Sequence, residues 1–205
     1  MPIPTLSATE PPPHRIEMSP DEYVRFDRTS PFKYEFDGAA AVLWNPRKDG
    51  MPGVTLNHNR VCDGLRDGLK NGVGAGWEVF DSDVAVAVPS GRYFYPDLSV
   101  VRSPPVTQDS DGTTLLEPFL LAEVLSLSTA AFDRVEKFAE YEAIDGLRVY
   151  LLLSQTEPLV ESFARPSGTA DWTYRRHLGI NAVLPLRELA VEVPSADVYS
   201  RLDGV

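Results

Sequence analysis

One charge interrupts the most apolar stretch of this chain. In Phe119-Leu120-Leu121-Ala122-Glu123-Val124-Leu125, everything next to Glu123 is apolar. The surrounding run, 116–126, is too short for a typical helix and continuous rather than alternating, so it reads as a strand buried on both faces. Such a strand belongs inside a sheet with other elements packed on it. A bare carboxylate there costs several kcal/mol, so Glu123 requires a partner.

The rest of the chain supplies elements to pack around it. Ser19-Pro20-Asp21-Glu22 opens a helix over about 20–28: Ser19 caps, Pro20 fits the first helical position and Glu22 completes a capping box. "FKYEFDGAAAVLW" reads as two strands around the Asp37-Gly38 turn. Residues 55–72 carry Leu56, Val61, Leu65 and Leu69 at mostly helical spacing, weakened by two internal glycines and ended by Asn71-Gly72-Val73-Gly74. "WEVFDSDVAVAV" and "YFYPDLSVV" are strand-like and punctuated by Pro89, Gly91 and Pro96, and 102–114 is a polar loop. Ser128 or Thr129 caps a helix over about 130–144, with Phe132, Val135, Phe138, Ala139 and Ile144 as its apolar stripe and Gly146 as its stop. "LRVYLLL" at 147–153 is a second buried strand. Strands follow at about 158–164, 171–177 and 182–184, then a short strand, Pro194 and a final short helix. Residues 1–17, rich in Pro, Ser and Thr, read as a flexible arm, and 18–205 as a single domain. The fold class is α/β (α+β): a mixed central sheet flanked by helices, with additional strands.

Composition excludes several functions. A net charge of −11 and a pI near 4.7 argue against a protein that coats nucleic acid through a broad basic surface. They leave room for a locally basic groove or for an acidic metal site. A single cysteine, Cys62, excludes an internal disulfide and a Cys-rich metal site. No apolar stretch reaches about 18 residues, so no membrane span is expected. The N-terminus has no charged start followed by an apolar stretch, which predicts no signal peptide and a cytoplasmic location. "NGVGAG" lacks the Lys-Ser/Thr of a P-loop and precedes a strand, so it is not a dinucleotide fingerprint either. No Gly-x-Ser-x-Gly elbow occurs. Cys62, with no basic partner near it in the chain, reads as core.

A second charge stands out in "YFYPDLSVV". Pro96 cannot donate to a sheet ladder, so Asp97 marks a strand start or a bulge. Two carboxylates on neighbouring apolar strands repel unless a divalent cation lies between them, and Mg²⁺ takes oxygen ligands. Lys137, on the helix after the Glu123 strand, is placed to orient a nucleophilic water and to stabilise charge on phosphate. Tyr141, four residues on, shares its face. Each residue also has a plainer reading. Asp97 can cap a turn, and Glu123 can form a core salt bridge to an arginine or to Lys137. Lys137 can pair with Asp133 for roughly 0.3 kcal/mol. Glu35 can be an outward acid on a hairpin, Tyr141 a packing residue and His58 a helix-start residue. His14 and His177 have no evident partner.

The charged set carries a resemblance. Pro96-Asp97, Glu123-Val124-Leu125-Ser126 with Ser128-Thr129, Asp133-Arg134, Lys137 and Tyr141 resemble the putative restriction endonuclease family of the PD-(D/E)XK nuclease superfamily. Tyr34-Glu35-Phe36-Asp37-Gly38 matches the family's N-terminal signature, and His58 its histidine near the start of the next helix. The likeness runs from about residue 20 to 193. The superfamily lysine usually stands two residues after the acid, where this chain has Leu125; Lys137 takes its place from the following helix. "LRVYLLLSQTEP" lacks the family's Trp and Asp-Pro, and Leu127 replaces a common proline.

The resemblance implies a restriction-endonuclease-like fold and Mg²⁺- or Mn²⁺-dependent hydrolysis of DNA phosphodiester bonds. Asp97 and Glu123 would be metal ligands together with the Val124 carbonyl. Lys137 would position the attacking water, and Glu35 would be a further acid near the metal. A homodimer is expected, since two copies commonly cut two strands. The alternative is a catalytically inactive nuclease-fold protein acting as a binding or regulatory module, which the acidic charge favours.

Overall fold

The computed structural model describes residues 3–6, 12–44, 54–108, 112–127 and 129–202. Ser128, one of the two expected helix caps, lies outside them, as do parts of the N-terminal arm and of the 102–114 loop. In chain order the strands are β1 (Arg15–Glu17), β2 (Tyr34–Phe36), β3 (Ala40–Leu43), β4 (Trp77–Asp81), β5 (Ala85–Ala87), β6 (Tyr93–Phe94), β7 (Leu98–Arg102), β8 (Thr114–Leu115), β9 (Pro118–Leu125), β10 (Val149–Ser154), β11 (Leu159–Ala164), β12 (Thr173–Leu178), β13 (Val183–Leu186) and β14 (Val191–Pro194). The helices are α1 (Pro20–Asp27), α2 (Leu56–Gly72), α3 (Ala130–Phe132), a π-helical turn (Asp133–Lys137), α4 (Phe138–Glu142) and α5 (Ser195–Tyr199).

Local chemistry sets the first elements as expected. Ser19 and Glu22 form the reciprocal capping box of α1. At the β2–β3 turn Gly38 takes φ +96°, and Asp37 Oδ1 accepts the Ala39 and Ala40 N–H groups at 3.0 and 2.9 Å. The end of the Pro-rich arm adds an edge strand, since β1 pairs antiparallel with β3.

The central sheet has the order β12-β11-β10-β9-β7-β4 and is mixed: β9 and β10 are parallel, the other neighbours antiparallel. The parallel pair is joined by the helical segment 130–142, the connection parallel strands require. All eight residues of β9 are buried. Alternation divides them between two layers. Leu120, Ala122 and Val124 meet Val61, Leu65 and Leu69 of α2; Leu121 and Leu125 meet Tyr141, Ile144 and Tyr150 on the other face. Each fully buried Leu or Val here contributes about 1.5–3 kcal/mol.

A second sheet, β1-β3-β2-β6-β5-β8, takes the N-terminal hairpin, and β13 and β14 form a small pair. The two strand-like stretches read as single units are each divided between the sheets. β4 and β7 belong to the central sheet, β5 and β6 to the other. The chain therefore crosses between sheets at Tyr95-Pro96-Asp97, where proline ends the ladder.

The glycines of α2 are contact positions. A Cβ at Gly64 would lie 2.6 Å from Val198 O, and one at Gly72 2.6 Å from Val191 Cγ1. Hydrogen alone lets α5 and β14 approach this closely, at the expense of helix propensity.

The helix after β9 departs from its expected course. Its intended stripe included Val135, which is 67% exposed. The π turn is wider than an α turn and shifts the phase of every residue after it. Asp133, Lys137 and Tyr141 are turned inward instead. The segment also ends earlier, at Glu142, with Ala143 rather than Gly146 at its boundary, and Thr129 makes no side-chain cap bond there.

Candidate active site

β9 delivers Glu123 to the face of the central sheet covered by the helical segment 130–142. Glu123 pairs in register with Leu152 of β10, on the side of Tyr150 rather than of α2. The π turn aims Lys137 at it: Nζ lies 3.0 Å from Glu123 Oε1, 3.2 Å from Glu35 Oε1 and 4.0 Å from Asp133 Oδ1. Tyr141, read from the chain as packing, donates its hydroxyl to Glu123 Oε1 at 3.1 Å. Glu35 comes from β2 in the second sheet and accepts the Tyr95 N–H at 3.1 Å, next to the crossover. The site is therefore built where the two sheets meet.

Asp97 arrives at the same place from the crossover. Continuing the Leu98–Ala122 pairing by one residue sets it opposite Glu123. Its Oδ2 accepts the Val124 N–H at 2.7 Å and lies 3.1 Å from His58 Nε2. His58 opens α2, whose N-cap Thr55 holds the His58 N–H at 3.0 Å. The helix-start reading was correct for its backbone, but its ring is buried on Asp97. One signal was available: His58 lies on the same helical stripe as Val61, Leu65 and Leu69. Cys62, one turn further on, sets Sγ 3.5 Å from His58 Nδ1. The ligating atoms of His58, Cys62 and Asp97 lie within 4.8 Å of one another. The two ring nitrogens face different partners, however, so a single ion cannot replace both contacts. Of the other histidines, His177 lies on β12 beside Ser162, and His14 is exposed on the arm.

Glu35, Asp97, Glu123, Asp133, Lys137 and His58 line one cleft of about 270 Å³. Its electrostatics are lopsided, with four carboxylates around one ammonium. Burial holds the Glu123 carboxyl well above the usual range despite Lys137, and the charges of Asp133 and Asp97 add to this. Burial raises Asp133 as well. Lys137 holds its proton more tightly than usual: desolvation opposes this, but Glu123, Glu35 and Asp133 outweigh it. Burial, then the negative charge of Asp97 and Glu123, pushes the Cys62 thiol far up, so it is no nucleophile.

This donor set fits a hard divalent cation. Among the described residues, the contacts of the two central acids fall on one oxygen each, Glu123 Oε1 and Asp97 Oδ2. Excess negative charge held in a buried cleft is what such an ion relieves, and oxygen donors are what Mg²⁺ takes. Val124 presents its N–H to Asp97.

A mixed sheet flanked by helices, with an acid–lysine cluster at the end of its buried strands, defines a restriction-endonuclease-like protein. The chain belongs to the family described as "Putative restriction endonuclease", whose model matches residues 20–194. Among similar proteins, sll1609 of Synechocystis sp. is 36% identical over 134 residues, 64% of this chain and 75% of its own length. A second Synechocystis sp. protein, slr1290, is 31% identical over 160 residues, 76% and 78% of the two chains. A crystal structure from Anabaena variabilis, described as a putative nuclease belonging to DUF820, shares the fold with a TM-score of 0.66. It covers 90% of this chain and 99% of its own at 16% identity. No helix among the described residues is long and apolar enough to cross a membrane.

Proposed function

We propose that this protein is a divalent-metal-dependent endonuclease that hydrolyses DNA phosphodiester bonds. The observation that carries the reading is the position of Lys137, whose ammonium lies between Glu123 and Glu35 in the cleft that Asp97 also lines. Asp97 and Glu123 would hold Mg²⁺ or Mn²⁺ together with the Val124 carbonyl. Such an ion acts as a Lewis acid on the scissile phosphate and lowers the pKa of a bound water.

The chain's own groups do the remaining work. Lys137 directs the attacking water and stabilises charge developing on phosphate. The buried surroundings strengthen that interaction. Tyr141 orients Glu123, and the Val124 N–H and His58 orient Asp97. Glu35 steadies Lys137 and adds negative charge beside the ion. Two copies acting together would cut both strands, an assembly that sedimentation can detect.

The −11 net charge favours a second reading, in which the fold is kept as a binding module without chemistry. Supercoiled plasmid separates the two. Nicking or cutting is expected with Mg²⁺ or Mn²⁺, lost with EDTA and lost in Glu123→Ala. Equal cleavage by wild type and Glu123→Ala overturns the enzyme reading.

A further inference from the structure

A basic pocket lies on the opposite face of the central sheet. The register places it there: Leu151, Ser162 and Arg175 form one cross-strand row, and Leu153, Val160 and His177 the next. These rows alternate with the row Glu123, Leu152, Glu161 and Arg176, which faces the cleft side. Between β10–β12 and the turn after β13 is a cavity of about 230 Å³, lined by Arg148, Arg165, Arg175, Arg187 and His177 over apolar groups that include Val149 and Leu186.

Four arginines line this small cavity in a chain of net charge −11, but the register puts only Arg175 on its face with Ser162 and His177; Arg148 and Arg165 fall on the row that faces the cleft side. Two of them are held by the fold. Arg148 donates to the Asp145 and Leu147 carbonyls, and Arg165 to those of Glu142, Ile144 and Leu147. The Arg165 guanidinium also lies over the Trp172 ring, 4.8 Å from its centroid, so both of these side chains serve the fold rather than the cavity. The side chains of Arg175 and Arg187 make no hydrogen bond or ion pair among the described residues. Among the described residues Glu188 is the one carboxylate that lines the cavity, and it accepts the Ser167 hydroxyl. Ser162 and His177 pair at 3.0 Å against the wall. Guanidinium groups match phosphate oxygens through paired N–H donors, and the apolar floor suits an organic moiety attached to the phosphate.

We propose that this pocket is a binding site for a small phosphorylated organic anion of nucleoside monophosphate size, separate from the catalytic cleft. The proposal stands whether or not the cleft cleaves DNA. The experiment is calorimetric titration of the full chain with AMP, inorganic phosphate and adenosine, in EDTA so that no divalent ion is present. AMP should bind saturably, phosphate more weakly and adenosine not at all. Arg175→Gln and Arg187→Gln, both at exposed positions, should each weaken AMP about tenfold. Their melting curves should match wild type, and Glu123→Gln, once its melting curve shows it folded, should bind AMP as wild type does. Absence of saturable AMP binding, affinity unchanged in the Arg175→Gln/Arg187→Gln double variant, or AMP binding lost in folded Glu123→Gln each overturns the proposal. The last outcome would place the nucleotide in the cleft.

Discussion

Lys137 Nζ stands 3.0 Å from Glu123 Oε1, although one residue belongs to a helix and the other to the strand before it. Leu125, at the position where the superfamily usually has its lysine, shares the Glu123 face and is packed in the core. The strand thus stays apolar while the ammonium enters from above. Both charges are almost wholly enclosed, so neither can be removed without stranding the other.

Lys137→Met should abolish cleavage and lower stability by about 3–5 kcal/mol at neutral pH, the cost of breaking a buried pair from one side. The double variant Glu123→Gln/Lys137→Met should recover much of that stability while staying inactive. Urea unfolding of the four proteins in the cycle measures the coupling, and additive effects would show that the pair is not linked.

The acid cluster makes the stability of the metal-free protein pH-dependent. Glu123 and Asp133 both have folded-state pKa values raised above the usual range, chiefly by burial. A raised carboxyl contributes stability that is complete below its unfolded value and is lost as pH rises through its folded value. Stability from these two groups should therefore fall as pH climbs from about 4 upwards. Glu123→Gln removes one of them. Its melting temperature should gain on that of wild type as pH rises from about 4 to about 8 in EDTA. A difference that stays flat over this window counts against the assignment.

Mg²⁺ or Mn²⁺ should raise the melting temperature of wild type, by the equivalent of about 2.7 kcal/mol when the free ion exceeds its Kd a hundredfold. Asp97→Ala should not respond. His58→Ala leaves the Asp97 carboxylate in place without its ring partner and should weaken the ion by about 10–100-fold. A thermal-shift titration in each variant reads this directly. Unchanged ion affinity in His58→Ala would leave the ring a packing role only.

Gly64→Ala should destabilise by about 1–3 kcal/mol, because the new Cβ meets the Val198 backbone at 2.6 Å. Helix propensity alone predicts the opposite, a gain of about 1 kcal/mol. The sign of the change in urea midpoint decides between them.

The chain by itself determined the elements and the charges that matter. The Ser19–Glu22 box, the Asp37-Gly38 turn and the continuous run around Glu123 each follow from contacts or periodicity within a few residues. Local spacing also assigns faces, which is why Glu123 was legible as a buried charge in need of a partner. Only the tertiary structure decided which partner it has. The division of 77–88 and 93–102 between two sheets, which carries Glu35 and Asp97 to one seam, depends on pairing between distant strands. Both His58 on Asp97 and Tyr141 on Glu123 depend on how helices seat against the sheet. The π turn that faces Lys137 inward and Val135 outward is the clearest case. Ideal helical spacing predicts the opposite for Val135. Asp133 is a neighbour that helical spacing already offers, but the contacts of Lys137 with Glu123 and Glu35 join it to distant carboxylates that no local propensity encodes.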